Sequence, residues 1–236
     1  MHCDESVKDF KPALHPRGIC LEGENIRIVR LDAALHGSEL FEAYAQDKAQ
    51  SSWHYLPYGP FEQRDGFLSW LQEMQSQDDP CFFALIRKSD QLAIGVASFL
   101  RIKPEIGVIE VGHIHFSPLL QRSKEASEAM FLMMDWVFSN GYRRYEWKCN
   151  ARNIASRAAA QRLGFSYEGV FRQATIYKNK NRDTAWFGLI DKDWPAIKAC
   201  FLEYLSADNF DAHGQALSSL RQKTKPLLFK KDEAIA

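Results

Sequence analysis

Between residues 26 and 31, apolar Ile26, Ile28 and Leu31 stand against Arg27 and Arg30, the two-residue period of a strand with one buried face. Residues 33–47 have the spacing of a short helix, and residues 51–61 form an aromatic loop interrupted by Pro57, Gly59 and Pro60. Phe61, Phe67, Leu68, Leu71 and Met74 then recur at helical intervals, with Gly66 as a tolerated weak point. Residues 81–88 and 91–102 read as strands joined by a turn at Ser89–Asp90, and a third strand from Gly107 ends at Ser117–Pro118. These short connections predict antiparallel pairing. From about Leu119 to Asn140 the period becomes helical. Ala126, Ala129, Met130, Met133, Trp136 and Val137 share one face, widened by Phe131, Leu132 and Phe138. Gly141 is the natural terminator. Residues 143–150 predict a strand with Tyr145, Trp147 and Cys149 facing one way. Asn153 then caps a short helix that stops at Gly164. Residues 165–177 and 183–194 predict a hairpin across the polar turn 178–182.

The predicted order is β-α-α-β-β-β-α-β-α-β-β. It implies an α/β protein on one mixed sheet, with a right-handed crossover in its middle. Three meander strands precede the crossover, and neither GxGxxG nor GxxxxGK[ST] occurs, so a doubly wound nucleotide-binding domain is excluded. The predicted domain spans residues 23–192. Residues 1–22 are an N-terminal extension with little periodic pattern. Residues 193–236 are a helical tail whose Ile197, Phe201, Leu202 and Leu205 either pad the core or make a dimer face.

Composition narrows the function classes. The chain of 236 residues is 46% hydrophobic and 25% charged, which suits a globular domain with a sizeable core. Thirty basic and thirty acidic residues give no net charge, which argues against nucleic acid as a partner. No apolar run is long enough for a membrane span, and the polar N-terminus does not read as a signal peptide. Five widely spaced cysteines without a CxxC predict reduced, mostly buried thiols in a cytoplasmic protein, with no metal site.

Two stretches carry chemistry. The first runs from Gly112 to Phe138 and contains Gln121, Arg122, Ser123, Lys124, Glu125 and Ala126 at the start of the apolar helix. The second contains Asn153, Ser156 and Gly164-Phe165 in the pattern Asn-x-x-Ser-x-x-x-x-x-x-x-Gly-Phe. Together they resemble the GCN5-related N-acetyltransferases, and within them the branch that acetylates ribosomal-protein N-termini. The resemblance covers roughly residues 23–192. It implies acetyl-CoA as co-substrate, with its pyrophosphate on the backbone N–H groups of residues 121–126. Those groups are orphan donors at the positive end of a helix. The family pattern is Gln/Arg-x-x-Gly-x-Gly/Ala, and Lys124 departs from it where glycine is usual.

The resemblance further implies that Ile114, His115 and Phe116 bind acetyl-pantetheine through their main chain, that Asn153 and Ser156 lie near the pantetheine and thiol, and that Arg157 reaches a phosphate. Transfer to an amine needs a base for the ammonium and an acid for the departing thiolate. Ser156 is the candidate acid, with Tyr177 behind it, and Glu110 is the candidate base. Some relatives carry a glutamate near Thr175, which this chain lacks. Trp53, Tyr55, Tyr58 and His113 are candidate walls of the acceptor slot, although the aromatic loop equally suits packing onto the following helix. The expected activity is acetyl transfer to a primary amine, a protein N-terminus or a small amine, within a ternary complex of a monomer or homodimer. The alternative is a non-catalytic CoA-binding or sensing module on the same fold.

Overall fold

The structure, a computed structural model, describes residues 6–235. Eight strands form one sheet: β1 (Leu21–Glu22), β2 (Ile26–Arg30), β3 (Cys81–Arg87), β4 (Ala93–Lys103), β5 (Val108–Phe116), β6 (Arg144–Asn150), β7 (Ser166–Tyr177) and β8 (Lys180–Ile190). Their spatial order is β1-β2-β3-β4-β5-β6-β8-β7. Only β5 and β6 pair in parallel, and they are joined by the predicted crossover through helix α3 (Lys124–Ser139). Helices α1 (Ala33–Tyr44) and α2 (Arg64–Gln75) cover one face of the sheet. Helices α3, α4 (Ile154–Arg162) and α5 (Trp194–Leu205) cover the other, and the short α6 (Leu220–Thr224) packs against α4 and α5. The mixed-sheet architecture is the one the hydrophobic periodicity predicts, with β1 added from the end of the N-terminal extension.

The two faces bury separate apolar clusters. On the α3 side, Phe83, Phe99, Ile109, Val111, Met133, Tyr145, Phe165 and Phe187 are almost wholly removed from water. On the other side, Leu40, Tyr44, Trp53, Phe67, Trp70 and Phe82 form the second cluster. Strand β3 is buried on both faces, which explains its unbroken run of apolar residues. Tyr145, Trp147 and Cys149 share the α3 face as the alternation predicts.

Three local departures have physical causes. Helix α3 begins at Lys124 rather than near Leu119, because Leu120 and Gln121 both donate to the Ser117 carbonyl in a turn and Arg122 has a φ of +60°. That left-handed residue ends the turn before the helix can start. The hairpin turn is Lys178–Asn179 alone, both with positive φ, the geometry that matches strand twist in a two-residue turn. The tail pads the core: Trp194, Ile197 and Phe201 are buried, with Phe201 and Trp194 against Phe131 and Trp194 stacked on Phe138. Of the described cysteines, Cys81 and Cys149 are buried, Cys200 is half-buried, Cys20 is exposed and all four are free thiols. Cys3 lies outside the described residues.

Candidate active site

The parallel pairing of β5 with β6 ends at Val111–Trp147, although both strands run on to Phe116 and Asn150. Beyond that point β5 remains paired with β4, and β6 with β8. The sheet therefore splits, leaving an unpaired edge on β5. Hydrogen-bond alternation fixes which groups line it. Ser117 N donates to the Ile94 carbonyl on the β4 side, so the main-chain groups of His115 point the same way and those of Ile114 and Phe116 point into the split. A β-bulge at His113–Ile114 bends the strand here, with His113 at a φ of +50°. Such a conformation costs a non-glycine residue about 1–2 kcal/mol. It is held by the Tyr58 hydroxyl at 3.0 Å from His113 Nδ1 and by stacking of the two rings.

The main chain of β5 thus offers Ile114 and Phe116, of which the Phe116 carbonyl already accepts from Gln121 Nε2 at 2.8 Å. His115 departs from its expected place among the cofactor residues. Its carbonyl accepts from the buried Tyr44 hydroxyl at 2.9 Å, its ring stacks on Tyr44, and its Nε2 lies 2.9 Å from Ser52 Oγ. Alternation turns its groups away from the split, so it anchors the strand from behind. Burial drives its pKa to about 3, and that of His113 to about 4 with help from Arg101 and Arg182. Both imidazoles are neutral throughout the physiological range, and neither is poised as a base.

At the start of α3, Ser123 is the N-cap. Its Oγ accepts from Ala126 N at 3.0 Å and donates to the Leu120 carbonyl at 2.7 Å. The first-turn amides of Lys124 and Glu125 have no intrahelical partner by the geometry of any helix. Lys124 is helical, so the position that is usually glycine needs no positive φ here, and the left-handed residue of the turn is Arg122 instead. The Lys124 ammonium lies 4.8 Å over the Phe210 ring and 3.8 Å from Glu24. In α4, Asn153 caps the helix by accepting from Ser156 N at 3.1 Å. Arg157 corrects the expectation placed on it. Its guanidinium is buried in a two-bond pair with Asp232, both bonds 2.6 Å, and a third bond of 2.7 Å goes to the Ala151 carbonyl. It clamps the C-terminal segment and has no fork left for a phosphate.

The proton-bearing candidates lie on or beside the split. Glu110 is the last β5 residue but one before pairing with β6 stops, and it is 3% exposed. Its Oε2 takes both Lys148 Nζ and Arg101 Nη1 at 2.7 Å, while Oε1 has no hydrogen-bond partner among the described residues. Burial raises its pKa despite the two cations. Lys148 is 2.7 Å from Glu146 as well, and its ammonium sits 3.8 Å over Trp186. Ser156 Oγ accepts from Trp147 Nε1 at 3.1 Å, and the hydroxyl also hydrogen-bonds the buried Cys149 side chain, which partly offsets the upward push of burial on that thiol. Tyr177 accepts from Asn150 Nδ2 at 3.0 Å at the end of β6. Glu146, Lys148 and Asn150 alternate with the buried Tyr145, Trp147 and Cys149, so the polar side of β6 was legible as a row beside Glu110. The Lys148 bridge itself depended on the register of β5 with β6.

An unpaired β5 edge, a split parallel pair and a helix that starts beside them form the frame of an acyl-CoA site. A sequence profile described as the acetyltransferase (GNAT) domain matches residues 26–166. The chain belongs to the GNAT acetyltransferases. A GCN5-related N-acetyltransferase from Brucella melitensis is 41% identical, with 93% of this chain and 100% of that chain aligned at a TM-score of 0.90. An acetyltransferase of the GNAT family from Chromobacterium violaceum is also 41% identical, over 81% of this chain and 96% of that one, with a TM-score of 0.76. RimL, the ribosomal L7/L12 alpha-N-protein acetyltransferase, is 20% identical over 73% of this chain and 94% of its own at a TM-score of 0.61, a likeness of fold. No curated protein sequence matches.

GNAT acetyltransferases use acetyl-CoA as co-substrate, and the open β5 edge with the α3 amides fits it. Among the described residues no group of three or more His, Cys, Asp or Glu is placed to hold a metal ion, and no helix is long and apolar enough to cross a membrane. The aromatic loop of this GNAT domain does two jobs. Trp53 is 5% exposed and packs against Tyr44, Phe61, Phe67 and Trp70, so it is a core side chain rather than a free wall of the acceptor slot. Tyr55 instead reaches across the split and donates to the Arg152 carbonyl at 3.1 Å, and Lys178 of the hairpin donates to the Trp53 carbonyl at 3.0 Å. Loop, hairpin and the β6–α4 turn thereby close a ring around the mouth of the split. Tyr58 packs against the second apolar cluster, on Trp70, with its hydroxyl on His113.

Proposed function

We propose that this enzyme transfers the acetyl group of acetyl-CoA to a primary amine, a protein N-terminus or a small amine, by direct attack in a ternary complex. The observation that carries this reading is the unpaired β5 edge at Ile114 and Phe116, beside the first turn of α3. Acetyl-pantetheine lies along that edge like an added strand, and the pyrophosphate meets the amides of Lys124 and Glu125. The acceptor enters through the ring formed by Tyr55, Arg152 and Lys178. Its ammonium loses a proton to Oε1 of Glu110, directly or through water. Burial raises the Glu110 pKa, which brings its basicity closer to that of its task. The neutral nitrogen attacks the thioester carbon, and a main-chain N–H of the β5 edge steadies the oxyanion. The C–S bond then breaks. The thiolate takes a proton from Ser156, with Tyr177 as the second donor, and the alkoxide so formed recovers a proton from the acetylated nitrogen, directly or through water. The amide and CoA thiol leave, and Glu110 returns its proton to solvent.

The likeness of fold to RimL supports a peptide N-terminus as acceptor, and the ring at the mouth is compatible with an extended chain end. The test is thiol release from acetyl-CoA against a panel of N-terminal peptides and small amines, run beside Glu110→Gln. Turnover with at least one amine, reduced about 10²–10⁴-fold in the variant without loss of acetyl-CoA binding, supports the assignment. Undiminished turnover by Glu110→Gln removes Glu110 from the mechanism.

A further inference from the structure

Strand β8 outruns its partner β6. Their pairing ends at Thr184 with Asn150, and residues 180–182 continue past it, paired with β7 alone. Ala185 and Phe187 are buried on the α3 side, so alternation puts Thr184 and Arg182 on the opposite side of the sheet, that of α1 and α2. Arg182 is half-buried. Its Nε is cut off from water without a hydrogen-bond partner, and no carboxylate lies within 4 Å of its guanidinium among the described residues. Its cross-strand neighbour, Thr175, carries no charge. The guanidinium stands 5.4 Å from the centre of the Tyr177 ring, whose hydroxyl is hydrogen-bonded to Asn150 at the end of β6. Its charge is felt on both banks of the split: it helps to hold down the pKa of His113 on β5, and it opposes the rise that burial gives the Cys149 thiol on β6. Nearby cations are already matched. Arg101 and Lys148 bond Glu110, Lys148 also bonds Glu146, and Lys178 donates to the Trp53 carbonyl. Asp183 faces the other way by alternation and accepts from Gln173 N and Asn181 Nδ2. A partly desolvated guanidinium without an anion is costly, and its planar fork of donors suits a carboxylate.

We propose that Arg182 binds a carboxylate of the acceptor, so that the preferred amines of this enzyme carry a carboxylate close to the amino group. This rests on the acetyl-transfer reading above and names its acceptor class. The carboxylate supplies the missing counter-charge, and the guanidinium holds both of its oxygens while the amine of the same molecule reaches the split. Two sources have this chemistry: the α-carboxylate of a free amino acid, and the side chain of an acidic residue in the first two positions of a peptide.

The experiment measures thiol release from acetyl-CoA by the full chain with acceptors matched except for the carboxylate. Free amino acids are set against their carboxamides, and C-terminally amidated peptides with an early aspartate or glutamate against the same peptides with asparagine or glutamine. The wild type is compared with Arg182→Gln and Arg182→Lys, with thermal melting as a check on folding. A charged hydrogen-bonded pair predicts that the wild type prefers the carboxylate acceptors by roughly 10–100-fold in kcat/KM, mostly through the acceptor KM. Arg182→Gln should bring the carboxylate acceptors down to the level of the carboxamides without changing the KM for acetyl-CoA. Arg182→Lys should keep part of the preference. A preference within the amino-acid pairs assigns the α-carboxylate, and one within the peptide pairs assigns the acidic side chain. No preference in the wild type, or the same preference in Arg182→Gln, overturns the proposal. An equal loss with the carboxamides also overturns it, because Arg182 then serves the fold. If Arg182→Gln does not fold, the wild-type preference and its reduction in Arg182→Lys decide the question. A wild type that acetylates no amine sinks the acetyl-transfer reading as well, whereas transfer to amines irrespective of a carboxylate sinks this inference alone.

Discussion

At the scale of single residues, identity and role separate most clearly at Lys124, Ser156 and Arg157. The family usually has glycine at position 124, but the backbone there is helical, so Cβ is tolerated and the long stem turns aside to Phe210. Lys124→Gly is therefore expected not to improve acetyl-CoA affinity, and to lower helix stability by up to about 1 kcal/mol. A tenfold gain in affinity by calorimetry would mean that the side chain obstructs the site. Ser156 accepts from Trp147 and hydrogen-bonds the Cys149 side chain, so its hydroxyl is tied to two residues of β6. Ser156→Ala should lower kcat with little change in the acetyl-CoA dissociation constant, and Tyr177→Phe should have the smaller effect. The reverse ranking would make Tyr177 the acid. Arg157 was readable as an arginine near the cofactor, but its partner is 75 residues away in the chain. No local pattern announces such a pair.

At the scale of elements, the bulge in β5 and the tail clamp shape the site. Periodicity located β5 and its end at Ser117–Pro118, but a bulge depends on pairing with β4 and left no mark in the alternation. The clamp is a buried ion pair, Arg157 with Asp232, supported by Gln161, whose amide accepts from Asp232 N and donates to the Lys230 carbonyl. Tyr167 N also donates to the Lys230 carbonyl, so the returning segment covers the start of the edge strand β7. Asp232→Asn leaves the guanidinium buried without its counter-charge, and should destabilise the fold by about 3–5 kcal/mol. Replacing both partners with leucine should restore much of that loss in denaturant unfolding. A double variant as unstable as the single one would place the stabilisation in other contacts of the segment.

At the scale of the whole molecule, buried titrating groups set the response to acid. His113 and His115 are neutral when folded, with pKa values pulled to about 4 and about 3 by burial, against 6.5 when free. Between those values the unfolded chain binds more protons, so stability rises with pH and is lost as pH falls below about 6.5. At Glu146 burial acts upward, but the hydrogen bonds of Lys148 and Arg144 outweigh it and the pKa is lowered. Its contribution is present above 4.5 and is lost as pH falls through the lowered value. Glu110, raised by burial, works in the opposite sense and offsets part of the loss. Thermal midpoints should therefore fall from pH 7 to pH 4, and the slope should flatten in His115→Gln, whose side chain does not titrate. A midpoint independent of pH over that range would contradict the buried, neutral imidazoles.

The sequence by itself determined the element order and the mixed sheet with its central crossover, which follow from periods of two and 3.6 residues and from capping and turn residues, all of which act over a few positions. Its two motifs carried the resemblance to the GNAT acetyltransferases. Tertiary structure alone decided which side chains share the site. The split between β5 and β6 opens because their pairing stops at Val111–Trp147. Lys148 reaches Glu110 through sheet register, and the tail folds back to claim Arg157. Such pairings are chosen by burial and charge compensation between distant segments, which local pattern does not encode.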